Sequence, residues 1–159
     1  DYQGALFVTL NGNERLEEQA KWLKKVLADT PRKWTIVSIH QPFYSTAGNR
    51  DNPYHKMLFT DIFDKYGVDL VLQGHDHTYG RTHRVFKDKK RKDKGTVYVV
   101  TVTGPKQYKP SELYKDLMAK TGTQTQLYQI IRIDGDKLAY ESYAVTGELF
   151  DSFELAKTN

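Results

Sequence analysis

Two short apolar runs constrain this chain most: Trp34-Thr35-Ile36-Val37-Ser38-Ile39 and Val68-Asp69-Leu70-Val71-Leu72. Both are rich in β-branched and aliphatic residues, the pattern of strands covered on both faces. Between them, Leu58, Phe59, Ile62, Phe63 and Tyr66 recur at helical spacing and predict a helix from about Tyr54 to Tyr66. Gly67 stands at the C-cap position. Strand, helix and strand in this order make a βαβ unit with parallel strands and a right-handed crossover. Open α/β sheets bind ligands along the edge formed by the carboxyl ends of their strands. His40 follows the first strand; His75 and His77 follow the second, just beyond Gly74, which lets the backbone turn sharply. Chain topology therefore expects these three histidines on one sheet edge.

The flanking segments read less richly. Leu6–Leu10 is a strand that stops at Asn11-Gly12-Asn13, with Asn11 and Glu14 at capping-box spacing and Asn13 as a second candidate cap. Leu16, Ala20, Leu23 and Leu27 predict a helix to about Ala28, closed by Thr30-Pro31. Residues 43–53 read as a loop. Thr96–Val102 is a further strand, and Ser111–Lys120 a short helix capped by Ser111 with Leu113 and Leu117 facing inward. Asp134-Gly135 predicts a hairpin between Leu127–Ile133 and Lys137–Val145. Thr146-Gly147 turns the chain into a last strand, Glu148–Leu155, before a tail expected to fray. With no repeat and no linker, residues 1–159 read as one domain: 1–82 carry the βαβ unit and the histidines, and 83–159 are a hairpin-rich remainder. The chain starts at Asp1, almost on a strand, which suggests a piece processed or cut from something longer.

Composition removes several classes. The absence of cysteine excludes disulfides, thiolate zinc sites and a cysteine nucleophile. No apolar run approaches the ~18 residues of a membrane span. Between Arg84 and Lys94 stand seven Lys or Arg (Arg84, Lys87, Lys89, Lys90, Arg91, Lys92, Lys94) against Asp88 and Asp93, so the remainder of this +4 chain is near neutral. Such a run can grip an anionic partner. Phe86 is the one aromatic within the run, too little for base stacking, which favours a solvated hairpin tip and argues against nucleic acid.

A His-x-His pair on extended backbone would point both imidazoles to one side, and imidazole suits zinc and first-row transition metals. His83 lacks such company and reads as a surface residue. Spacing rules out familiar His-x-His sites. Tyr79 and Gly80 stand where a metallo-β-lactamase needs Asp and His, an amidohydrolase barrel of ~250 residues does not fit, and zinc deaminases need cysteines.

Val37-Ser38-Ile39-His40 resembles the Val-x-x-His block of the calcineurin-like metallophosphoesterases, and Gly74-His75-Asp76-His77 resembles their Gly-His-x-His block. The contexts His40-Gln41-Pro42-Phe43-Tyr44, Asp64–Leu70 and Thr78-Tyr79-Gly80-Arg81-Thr82 are most similar to the purple acid phosphatase branch. Resemblance runs from about Leu6 to Thr82 and continues more loosely through Thr146-Gly147 and Asp151-Ser152-Phe153. It implies an α/β fold: the C-terminal half of a metallophosphoesterase αββα sandwich, with the βαβ unit joined by antiparallel hairpins.

The resemblance also implies a metal-dependent phosphohydrolase acting on phosphomonoesters or phosphodiesters. Its two divalent or trivalent ions (Fe, Zn or Mn), ~3.5–4 Å apart, would acidify a bound water and neutralise phosphate oxygens. His40 and His75 would bind one metal and His77 the other. His55 would be catalytic, contacting the substrate phosphate or protonating the leaving group, against the plainer reading of a surface residue at a helix start. Asp76 fills the variable position of its block and receives no role. The Asp-x-Gly or Asp-x-His, Gly-Asp and Gly-Asn-His blocks that precede Val-x-x-His in the family are absent upstream of His40. The expectation is therefore a chain holding one metal or none, inactive alone, and partnered by the missing N-terminal half or by itself. Secreted or periplasmic placement follows from resemblance only. The alternative is a non-catalytic metal- or anion-binding module.

Overall fold

A computed structural model describes residues 1–29 and 31–157. The helix end at Thr30 and the last two tail residues lie outside them. In chain order the elements are β1 (Ala5–Leu10), α1 (Leu16–Asp29), β2 (Trp34–Ile39), α2 (Pro53–Tyr66), β3 (Leu70–Gln73), β4 (Tyr79–Thr82), β5 (Arg84–Phe86) and β6 (Lys89–Arg91). They continue with β7 (Val97–Val100), a 3-10 turn (Lys115–Leu117), β8 (Met118–Gly122), β9 (Leu127–Asp134), β10 (Lys137–Ala144) and β11 (Leu149–Ala156). Six strands form one sheet in the order β1-β2-β3-β7-β4-β8, with β1, β2, β3 and β7 mutually parallel and β4 and β8 antiparallel additions. The strands β11-β10-β9 form a second, antiparallel sheet.

The apolar runs of β2 and β3 are explained by this layering. Val37, Ile39, Val71 and Tyr98 pack with Leu23, Leu27, Phe59, Ile62 and Phe63 of the two helices. Trp34, Ile36, Leu70, Val97 and Val99 pack on the opposite face with Leu127, Leu138, Tyr140 and Leu155 of the second sheet. A strand covered on both sides needs apolar residues at successive positions, which is why alternation is missing there. The fold is the expected α/β one, with helices, central sheet and second sheet as three successive layers.

A polar cross-tie joins the two sheets. Arg81 of β4 donates Nε and Nη2 to the Asp151 carboxylate of β11 at 2.7 and 2.9 Å. Tyr79 donates its hydroxyl to the same group at 2.7 Å. Burial pushes the Tyr79 phenol well above its ordinary range, so it stays a proton donor.

Several local expectations are corrected. Asn11 does not start a capping box. Its Oδ1 accepts from the Asn13 N–H at 3.0 Å, α1 begins only at Leu16, and Gln19 reaches back to bind the Asn11 backbone. No α-helix forms over Ser111–Lys120. Leu113 is 64% exposed, and pairing with β4 draws Met118–Gly122 into an edge strand, a tertiary contact overriding a weak local pattern. The β9–β10 turn is Gly135-Asp136, one residue later than read, because Asp134 pairs with Lys137. The basic segment is a hairpin, with Lys87 and Asp88 at its turn in left-handed backbone.

Candidate metal centre

The carboxyl ends of β2 and β3 remain paired as they leave the sheet: the Gly74 N–H donates to the His40 carbonyl at 3.1 Å. Beyond Gly74 the backbone departs from the expected extended His-x-His. His75 and His77 have φ of +71° and +54°, and Gly74 is not left-handed. The sharp turn is thus taken by the histidines, not by the glycine, at a cost of order 1–3 kcal/mol each that the surroundings must offset.

His40, His75 and His77 do line one cleft, of about 270 Å³, together with Gly74 and Thr101–Gly104. His40 Nε2 and His75 Nδ1 are 3.1 Å apart. His77 stands off from that pair, with its Nδ1 3.1 Å from the Lys106 carbonyl and its ring 5.0 Å from Tyr108. Burial first, then the charge of Arg50 and the neighbouring His40 and His77, hold His75 below the ordinary histidine range. The neutral ring this favours is the form that binds metals. Larger hollows lie elsewhere. The one around Asp69 and Arg84 sits at the amino ends of the strands, and its buried carboxylate Asp69 is already held by the Thr35 N–H and Lys157.

Among the described residues no three His, Asp, Glu or Cys side chains converge closely enough to hold an ion. The donor chemistry suits a transition metal, but the chain supplies two touching imidazoles and a third apart, with no carboxylate among them. His55 is not in the cleft; its Nε2 lies 2.6 Å from the Gly12 carbonyl, beside the end of β1. His83 lies beyond β4, half-buried, and takes no part.

The residues that sequence reasoning missed form the support of the turn. Asp76 is fully buried and accepts from Ser45 Oγ at 2.8 Å and from the Thr46 N–H at 2.9 Å. Burial pushes its carboxyl above the ordinary range, against the downward pull of these bonds and of Arg50. Thr46 and Thr78 hydroxyls meet at 2.6 Å, and a Cβ on Gly80 would fall 2.1 Å from Thr46 Cγ2, so only glycine lets the 43–50 loop lie against β4. The buried side-chain polar atoms without a partner among the described residues are Gln41 Oε1, Arg50 Nε, Gln73 Oε1 and Asp76 Oδ1. All four belong to the segments around the β2 and β3 ends.

Known proteins share this arrangement of strands and blocks. The family model for calcineurin-like phosphoesterases matches residues 3–79, which include all three cleft histidines. Purple acid phosphatase 15 of Arabidopsis thaliana is 36% identical over 96 residues, covering 57% of this chain and 18% of that protein. The Fe(3+)-Zn(2+) purple acid phosphatase 12 of the same plant is 39% identical over 72 residues, 42% of this chain and 15% of the other. Among solved structures, the purple acid phosphatase PPD1 from yellow lupin superposes with a TM-score of 0.81 at 19% identity, over 98% of this chain and 32% of that one. Over residues 3–79 the chain is thus similar to the calcineurin-like phosphoesterases. The relatives named here are purple acid phosphatases, and the chain spans less than a third of the length of each of them. Among the described residues no helix is long and apolar enough to cross a membrane.

Proposed function

We propose that this chain supplies the histidine edge of a metal-dependent phosphohydrolase that cleaves phosphomonoesters or phosphodiesters. The observation that carries this reading is the convergence of His40, His75 and His77 on one cleft from the ends of two adjacent parallel strands. His40 and His75 would hold one ion of a dinuclear centre and His77 the second. Such a centre, when bound, supplies an acidified water and neutralises phosphate charge. The chain's own part is to hold the imidazoles in place: His75 by its left-handed backbone, His77 by the Lys106 carbonyl and the Tyr108 ring. His55 would reach the substrate side only after its bond to the Gly12 carbonyl breaks.

Three imidazoles without a carboxylate do not make a two-metal clamp, so the 159-residue chain alone is inactive or nearly so. The complement belongs in the groove between the open edge strands β1 and β9, lined by Tyr2, Phe7, Ile131 and Ile133, where an upstream part of the enzyme or a second copy would cover Phe7, now 50% exposed. Residues 1–159 act as one folding unit, since β7 lies between β3 and β4. Metal analysis and p-nitrophenyl phosphate hydrolysis by the complete gene product test the reading. Metal-dependent turnover lost in His75→Ala supports it; metal-dependent turnover by the 159-residue chain overturns the incompleteness, and none by the complete product overturns the activity.

A second reading, an anion-binding module, is favoured by one observation. Lys89–Arg91 are all exposed, while Asp88 turns inward to Lys56 at 3.0 Å and to the Tyr44 hydroxyl at 2.7 Å. Salt-dependent binding of a polyanion that disappears on neutralising Lys89, Lys90, Arg91 and Lys92 would select it.

A further inference from the structure

We propose that Arg50 is a positioning residue of the histidine cleft, clasping the left-handed turn that presents His75 and His77. Its contacts reach the turn on both sides of Asp76. Nη2 donates to the His75 carbonyl at 3.1 Å, and Nε lies 3.7 Å from Asp76 Oδ1. The guanidinium sits over the Tyr108 ring with Cζ 4.9 Å from its centroid, and that ring lies 5.0 Å from the His77 ring. The Tyr108 N–H donates to the His77 carbonyl at 3.3 Å.

Ser45 and Thr46 also hold Asp76, but they act on the middle of the turn only. Among the described residues Arg50 alone joins His75, Asp76 and, through Tyr108, His77. It also connects the two loops that flank the turn. Residues 43–50 and 103–111 are bound to each other by Gly48 N–H to the Lys109 carbonyl at 3.5 Å and by Ser111 N–H to the Thr46 carbonyl at 2.8 Å.

The type of residue matters. A planar guanidinium can donate along one edge while stacking on an aromatic face; a lysine ammonium is a single point charge and cannot do both. Two non-glycine residues held at positive φ need this kind of over-determination to stay there. Outer contacts of this sort fix ring orientation in metal sites, and their loss typically costs about 10–100-fold in metal affinity.

The metal-binding consequence rests on the function proposed above; the effect on backbone geometry does not. The test uses the 159-residue chain and two readouts. Three-bond HN–Hα couplings and backbone shifts report φ at His75 and His77, and calorimetric titration with Zn2+ reports affinity. Arg50→Met and Arg50→Lys are both expected to abolish the left-handed signature at His75, which decides the proposal by itself, and to weaken any His75-dependent Zn2+ binding of the wild-type chain by about 10–100-fold. Amide shifts of the β9–β11 sheet should stay in place. Should Arg50→Met fail to fold, Arg50→Lys decides, because it keeps the charge beside Asp76. Wild-type geometry and affinity in Arg50→Lys would overturn the proposal and leave Arg50 as a mere countercharge. Loss of the left-handed signature in a chain whose Zn2+ binding is indifferent to His75→Ala would sustain Arg50 and sink the metal reading. His75-dependent Zn2+ binding unchanged by both Arg50 variants would do the reverse.

Discussion

Among the described residues two largely buried arginine–aspartate pairs are built differently. Between the sheets, Arg81 donates to both oxygens of Asp151, and Tyr79 donates a second bond to Oδ2. Beside the histidines, Arg50 and Asp76 stop at 3.7 Å, with Nε and Oδ1 both unpartnered among the described residues. The first is closed, as expected of a contact whose work is to hold two layers together. The second leaves polar capacity unused next to strained backbone. A fold selected for stability alone would close it or replace it with apolar side chains. The difference teaches where the chain bears cost for a site.

The sharpest way to break this contrast is to remove each acid in turn. Asp151→Ala strands a buried guanidinium and a buried phenol, and we expect a loss of about 3–5 kcal/mol in denaturant unfolding, enough to leave a marginal domain largely unfolded. A loss under about 1 kcal/mol would show that the closed pair is ornamental. Arg81→Lys keeps the charge but forfeits the fork, and about 1–3 kcal/mol should go with it. Asp76→Asn sits next in size. It keeps the shape and the acceptor for the Thr46 N–H, so the unfolding free energy should fall by no more than about 1 kcal/mol. Zn2+ affinity, in contrast, should drop by roughly tenfold or more. An Asp76→Asn chain with unchanged affinity and a large stability loss would make the two pairs alike.

The legible parts of this molecule are those where one physical demand acts alone. Double-sided burial left its mark in the unbroken apolar runs of β2 and β3, and the parallel crossover then brought His40, His75 and His77 to one cleft. The Gly67 C-cap was readable because a left-handed residue ending a helix has few alternatives, and its φ is +67°. Where two demands compete, local pattern misled. Leu113 and Leu117 have helical spacing, but β4 needed an edge partner and took Met118–Gly122. Gly74 looked like the residue that turns the chain, yet His75 and His77 bear the positive φ, on either side of a buried Asp76 that Ser45 and Thr46 hold. Nothing near Asp76 in sequence announces partners in the loop after β2. Arg50 and Tyr108 were illegible for the same reason: each is ordinary in its loop and acquires meaning only when the loops meet.

A third, exposed acid–base contact gives the smallest effect and sets the baseline for the buried pairs. Desolvation alone would raise the Asp88 carboxyl, but the bonds from Tyr44 and Lys56 outweigh it and hold it below the ordinary value. A carboxyl lowered in the folded state binds fewer protons than its unfolded counterpart. Its contribution to stability is therefore present above the unfolded value of about 3.9 and is lost as pH falls through the lowered folded value. Asp88→Asn should flatten this part of the pH dependence, so that wild-type and variant unfolding midpoints differ at about pH 6 and converge toward about pH 3. Because the Asp88 side chain is 56% exposed, solvent screens the interaction and the separation at the higher pH should be small. At about pH 6 alone, Asp151→Asn should separate from wild type much more widely, because it weakens the two-edged contact to the largely buried Arg81 guanidinium. Equal separations would mean that burial adds nothing to the closed pair and that its bidentate geometry is incidental.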